Sequence, residues 1–147
     1  MKTVVNCRAR GKRAFVEQAA GFFQRELNIT SSTWELEIVF RPKLRKTDDM
    51  RGCIIKADMI RPKYVMMFLD SSLKFEDLVY TLAHEMVHVK QMVKGQYRLE
   101  ETRRGLKHFW MGRQVKKDYY EQPWELEAWS RERLLAVKLY AILEKLS

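Results

Sequence analysis

Cysteine, proline, glycine and histidine are all scarce in this chain, and each scarcity closes off a class of architecture. The two cysteines, Cys7 and Cys53, support neither a disulfide framework nor a paired-cysteine zinc site. Reduced thiols on ordinary strands, in a cytosol, are the expectation. With only 3 prolines and 6 glycines, and with 46% hydrophobic and 32% charged residues, nothing in the composition suggests a linker or a disordered tract. A length of 147 residues suits one domain around one core. No apolar run approaches the ~20 residues needed to cross a bilayer, so no membrane partner is expected. Met1 to Cys7 runs into Arg8-Ala9-Arg10-Gly11-Lys12-Arg13 before an apolar signal segment can form, which argues for a cytoplasmic protein without a signal peptide. There is no internal repeat.

Two of the 3 histidines are spent on one stretch, Ser71 to Gln96, which reads as the helix that organises the chain. A serine precedes it as N-cap, acidic residues Glu76 and Asp77 occupy its first turn, and Gly95 is its stop. Four residues make close to one turn, so His84 and His88 project from the same face and can close on one metal ion. Glu85 lies about 100° further round, beside such an ion rather than on it. A histidine pair at this spacing is as readily a packed polar pair as a metal site. The glutamate directly after the first histidine makes zinc the better reading, because it supplies the proton acceptor that hydrolysis requires.

The remaining elements follow from periodicity. Val4 and Val5 lead in as a short strand, and Lys12 to Leu27 is helical, with Phe15, Ala19, Phe22, Phe23 and Leu27 on one face. Thr33 to Phe40 alternates as a strand, Arg41 to Met50 is a basic connection, and Gly52 to Met59 and Lys63 to Leu69 are two more strands. Gln96 to Gly105 reads as a charged loop, Leu106 to Arg113 as a strand or ribbon, and Lys116 to Gln122 as a connector. Pro123 then opens a last helix from Trp124 to Leu146. The expected fold class is α+β, one compact domain over residues 1–147. It has an N-terminal helix, a small, mostly antiparallel sheet, the histidine helix and a C-terminal helix.

A hydrolytic zinc site needs three protein ligands and one open position. His84 and His88 supply two, and Glu125, Glu127 and His108 are the candidates for the third. Glu125 and Glu127 sit two apart in a helix and face different ways, so one of them at most should reach the metal. Both also suit the acidic first turn of a helix with no metal role. His108 sits among aromatic residues, where packing is the simpler explanation.

The run Leu82-Ala83-His84-Glu85-Met86-Val87-His88-Val89-Lys90-Gln91, then Trp110-x-Gly112 and Tyr119-x-x-x-Pro123-Trp124-Glu125-x-Glu127-Ala128, resembles the SprT-like and gluzincin-like zinc metallopeptidases. It is similar above all to small metallopeptidases encoded by bacteriophages. The resemblance covers roughly Ser71 to Arg131. It implies a zincin-like domain, a zinc ion, a protein or peptide substrate, a location in the host cytoplasm if phage-encoded, and a glutamate from the later helix as third ligand. Glu125 is preferred because Glu-x-Glu-Ala in related families begins with the ligand. In gluzincins a polar residue four positions on holds a ligand histidine, and here those positions carry Trp129 and Arg131. The chain also departs from the SprT pattern, which uses a third histidine and often a cysteine zinc ribbon. That weakens any transfer of DNA–protein crosslink repair.

The chemistry expected is peptide-bond hydrolysis, with zinc polarising the carbonyl and acidifying a water, and with Glu85 as general base. Tyr119 or Tyr120 would donate to the developing oxyanion, with ordinary packing as the simpler role for either. The strand Tyr64 to Leu69 would offer an edge to an extended substrate. A formal charge of +9, with basic clusters at Arg8–Arg13, Arg41–Lys46, Arg61–Lys63 and Arg103–Lys107 and with Trp110 for stacking, supports a second function class: nucleic-acid binding around a structural or degenerate zinc site.

Overall fold

The computed structural model describes residues 1–44, 51–56, 63–116 and 121–146, with the side chains at 55 and 56 outside the description. The far end of the strand expected to reach Met59, parts of two connections, and both Tyr119 and Tyr120 fall outside the described residues. The order of elements is β1 (Lys2–Asn6), α1 (Arg10–Glu26), β2 (Glu35–Arg41), β3 (Gly52–Lys56), β4 (Tyr64–Asp70), α2 (Phe75–Val93), β5 (Tyr97–Thr102), β6 (Gly105–Trp110), β7 (Arg113–Val115) and α3 (Pro123–Leu146). This is an α+β fold with two small sheets.

The main sheet runs β1-β2-β4-β3. The β1–β2 and β2–β4 pairs are parallel, which the sequence reading did not anticipate, while β3 is antiparallel to β4. Parallel pairing arises because α1 carries the chain back across the sheet between β1 and β2, and a tight turn cannot do that. β4 therefore lies inside the sheet, paired on both sides. The substrate edge expected there is corrected: among the described residues the edge strands are β1 and β3.

One face of the sheet carries Leu36, Ile38, Val65, Met67 and Leu69, all buried. Against them α1 sets Val16, Ala19, Ala20 and Phe23, the i, i+3, i+4, i+7 stripe of an amphipathic helix. Asn28 closes α1 in the left-handed region (φ 58), with the Ile29 N–H donating to the Gln24 carbonyl at 3.0 Å. α2 is buried on nearly every side, through Leu78, Val79, Leu82, Ala83, Met86, Val87 and Val89. It packs along α3, which contributes Ala128, Leu135, Ala136 and Leu139, and also touches α1, β3 and β4. Burial on this scale holds α2 rigidly: truncating Leu82 or Met86 to alanine would cost about 2–5 kcal/mol.

The ends of α2 differ from expectation in an instructive way. Its N-cap is Lys74, with no side-chain cap, because the serines are engaged one turn earlier. The Ser72 N–H donates to Asp70 Oδ1 at 2.7 Å, and its hydroxyl bonds the same oxygen. Gly95 does stop the helix, at φ +70, with its N–H on the Met92 carbonyl (3.1 Å) and that of Gln96 on the Gln91 carbonyl (2.8 Å).

The segment read as a charged loop is in fact β5, paired in register with β6, and a turn at Met111 and Gly112 (φ 50 and 83) adds β7. Charges on both faces of this ribbon hide its strand character, since one face meets water. The other lays Tyr97, His108 and Trp110 on Trp124 at the start of α3.

Candidate metal centre

One turn of α2 and the first turn of α3 meet at His84, His88 and Glu125. Their ligand atoms all lie within 4.8 Å of one another, an arrangement that can hold a metal ion. Glu125 Oε2 is 3.2 Å from His84 Nε2, Glu125 Oε1 is 2.8 Å from His88 Nε2, and the two Nε2 atoms are 3.2 Å apart. Glu125 is buried and the histidines are half-buried.

Both imidazoles are oriented from behind. His84 Nδ1 donates to Glu132 Oε2 at 2.7 Å, and His88 Nδ1 donates to Gln91 Oε1 at 2.9 Å. With a proton on each Nδ1, the Nε2 lone pairs converge on the centre, as ligation requires. Gln91 is itself fixed: its amide donates to the Trp124 carbonyl and to Glu127 Oε1, both at 2.9 Å.

The structure thereby sorts the candidates. Glu125 joins the histidines. Glu127 instead accepts from Lys90 Nζ at 2.7 Å and from Gln91, with Arg131 Nη1 3.8 Å away. His108 belongs to the aromatic ribbon, where its ring stacks on Trp124 (5.3 Å, 14°) and its Nδ1 is 2.8 Å from the Tyr97 hydroxyl. Tyr119 lies outside the described residues.

Glu132 and Gln91 do not stand four positions after either glutamate, where the gluzincin pattern places the residue that holds a histidine and where this chain has Trp129 and Arg131. Glu132 is seven positions after Glu125, on the same helical face two turns on, and Gln91, itself buried, is three after His88 on the same side of α2. Trp129 flanks the site, with its ring 6.5 Å from that of His84.

Electrostatics follow from this packing. Burial alone lowers the His84 pKa, but the hydrogen bonds to Glu125 and Glu132 more than reverse that and hold it at about 10. The same opposition leaves His88 raised. Burial pushes Glu125 up, and the two imidazoles overcome it, bringing the carboxyl down to about 2. Glu85, buried beside both histidines, is raised by burial against their pull. Burial, then the charge of Glu125, takes the Tyr97 hydroxyl up to about 12, so it stays a donor at neutral pH.

Two neutral imidazole nitrogens and a carboxylate suit zinc, and they also suit other divalent first-row ions. In comparisons with known proteins, the chain matches no family model, no curated protein and no solved structure. Among the described residues, no helix is long and apolar enough to cross a membrane.

Proposed function

We propose that the chain is a zinc-dependent metallopeptidase, with His84, His88 and Glu125 as ligands and Glu85 as general base. The observation that carries this reading is the meeting of those three side chains from two helices, with the Glu85 carboxyl buried against the same pair of histidines. When bound there, zinc supplies Lewis-acid chemistry, acidifying a water and polarising a carbonyl.

The chain's own residues do the rest. Glu132 and Gln91 hold the imidazole Nδ1 protons, so that both Nε2 lone pairs face the centre. Glu85 takes a proton from the attacking water on its carboxylate and returns it to the departing amine; its raised pKa makes it the stronger acceptor. The hydroxyl expected of Tyr119 to stabilise the developing negative charge has a second candidate in Tyr97, which lies against Trp124 next to Glu125 and would have to turn from His108 Nδ1, 2.8 Å away, to donate. A protein or peptide substrate in extended form would add to the edge strand β3 rather than to β4, because β3 borders α2 and, among the described residues, is paired on one side alone.

The test is Glu85→Gln, assayed for metal content per chain and for hydrolysis of unfolded protein substrates. Zinc near one per chain with at least a hundredfold loss of rate is the expected result. Hydrolysis undiminished in that variant, or an unmodified chain that takes up no divalent metal, would refute the reading. Tyr97→Phe beside Tyr119→Phe, each with its metal retained, identifies the donor by which one lowers kcat.

A further inference from the structure

Two basic stretches far apart in the chain, around Arg10 and Arg41, come together with Arg51 at one pole of the main sheet. Because β1, β2 and β4 are parallel, their C-terminal ends share that pole, and β3, running the other way, begins there. The short segment between β4 and α2 ties the stretches to one another. The Asp70 N–H donates to the Arg51 carbonyl and the Ser71 N–H to the Arg41 carbonyl, both at 2.9 Å, while Lys12 Nζ donates to the Ser71 carbonyl at 3.1 Å. Arg8 and Arg10, at the entry to α1, are exposed, as are Arg41, Lys43 and Arg51.

Two of these cations rest on aromatic rings. The Arg41 guanidinium sits 4.0 Å from the Phe68 ring centre and Lys12 Nζ 4.4 Å from that of Phe40. Asp70 is buried and held by Ser72, and Asp77 meets Arg51 at 3.4 Å. Among the described residues no carboxylate pairs with Arg8, Arg10, Arg13 or Arg41. The first turn of α1 has no acidic residue, and its Arg10, Lys12 and Arg13 oppose the helix dipole, a local cost that an anion at this pole relieves.

We propose that this pole is a docking surface for the phosphate backbone of nucleic acid, separate from the metal centre. Four strands at ~4.8 Å spacing make it about 14 Å across. That width matches about four phosphates along one strand at 3.4 Å each. Arginine predominates, and its planar fork suits phosphate oxygens better than a lysine point charge does. A lipid surface would call for projecting apolar anchors. Phe75 is half-exposed near this pole, with its ring 4.9 Å from that of Phe15, and one such side chain is not an anchor face. His84 lies nine positions beyond Phe75 along α2, about 14 Å of helix, so the two sites can act independently.

The test is binding of the full chain to a labelled DNA duplex of about 20 base pairs across about 50–200 mM salt. A log–log slope near −4 is expected, falling to about −1 in Arg10→Ala/Arg13→Ala/Arg41→Ala with affinity at least tenfold weaker. Arg103→Ala/Arg104→Ala/Lys107→Ala, on the β5–β6 turn, is expected to change neither. Metal content equal to that of the unmodified chain reports an intact fold, and Arg41→Gln alone, expected to lower the slope by about one, repeats the test with the least perturbation. Salt-insensitive or undetectable DNA binding overturns the proposal. So does an equal loss in the β5–β6 variant, or binding confined to phosphatidylserine vesicles.

Discussion

Glu132 accepts the Nδ1 proton of His84 at 2.7 Å, two helical turns beyond the Glu125 carboxylate that meets Nε2 of the same ring at 3.2 Å. One face of α3 thus grips both nitrogens of one imidazole. Glu132→Ala is expected to weaken metal binding about 10–100-fold while leaving the fold intact, and Gln91→Ala to do the same through His88. Competition with a chromogenic chelator measures it. Unchanged affinity in both variants would show that neither residue orients a ligand.

Lys90 is only 3% exposed, and its ammonium rests on Glu127 at 2.7 Å. Burial raises the Glu127 pKa, but the hydrogen bonds from Lys90 and Gln91 outweigh it and the carboxyl ends lowered. Glu127→Ala leaves a buried cation unpaired, with an expected cost of roughly 3 kcal/mol in denaturant unfolding. Glu127→Ala/Lys90→Met should recover most of that. Glu125→Ala should behave in the opposite way, losing metal with a smaller loss of stability. Metal lost with Glu127 and kept without Glu125 would reverse the assignment of the third ligand.

The metal-free cluster stabilises the fold over a defined pH range. His84, raised from 6.5 to about 10, contributes stability that is complete below pH 6.5 and lost as pH rises through 10. Glu125, lowered from 4.5 to about 2, contributes stability present above pH 4.5 and lost as pH falls through 2. Chelator-treated protein should therefore gain most from the cluster between pH 4.5 and 6.5. Metal binding needs neutral imidazoles, so loading should release protons and move the optimum upward. Melting curves against pH, with and without chelator, check both signs. A His84→Ala difference that grows steadily above pH 6.5 in the metal-free state would contradict them.

Gly52 opens β3 where that strand lies against Thr81 of α2. A Cβ there would meet the Phe68 carbonyl oxygen and Thr81 Cγ2 at 3.0 Å, and Leu69 Cδ2 at 3.1 Å. Backbone on one side and a buried helix on the other leave nowhere to yield, so Gly52→Ala is expected to destabilise by about 1–3 kcal/mol. Thr81→Ser, which removes one of the opposing methyl groups, should recover part of that loss in the double variant. Thermal unfolding of Gly52→Ala indistinguishable from the unmodified chain would show that the approach is looser.

Several elements were legible because their determinants are neighbours in the chain. The stop of α2 at Gly95 needs a left-handed residue after a helical run, and that is visible as a glycine. β5 was not legible: Glu100, Glu101 and Arg98 read as loop until pairing with β6 shows a ribbon with one wet face. The serine cap failed for a related reason, since Asp70 competes for Ser72 and wins at shorter range.

The sequence by itself determined that His84, Glu85 and His88 share one helix with the two imidazoles on one face, because the 3.6-residue period sets the direction of side chains a few positions apart. Only the tertiary structure decided that Glu125 joins them, that Glu127 and Glu132 support the site from different sides, and that the basic stretches around Arg10 and Arg41 meet Arg51 at one pole. Those relations depend on how α3 crosses α2 and on which strand ends the sheet brings together. Both are settled by packing between segments tens of residues apart, which no local spacing encodes.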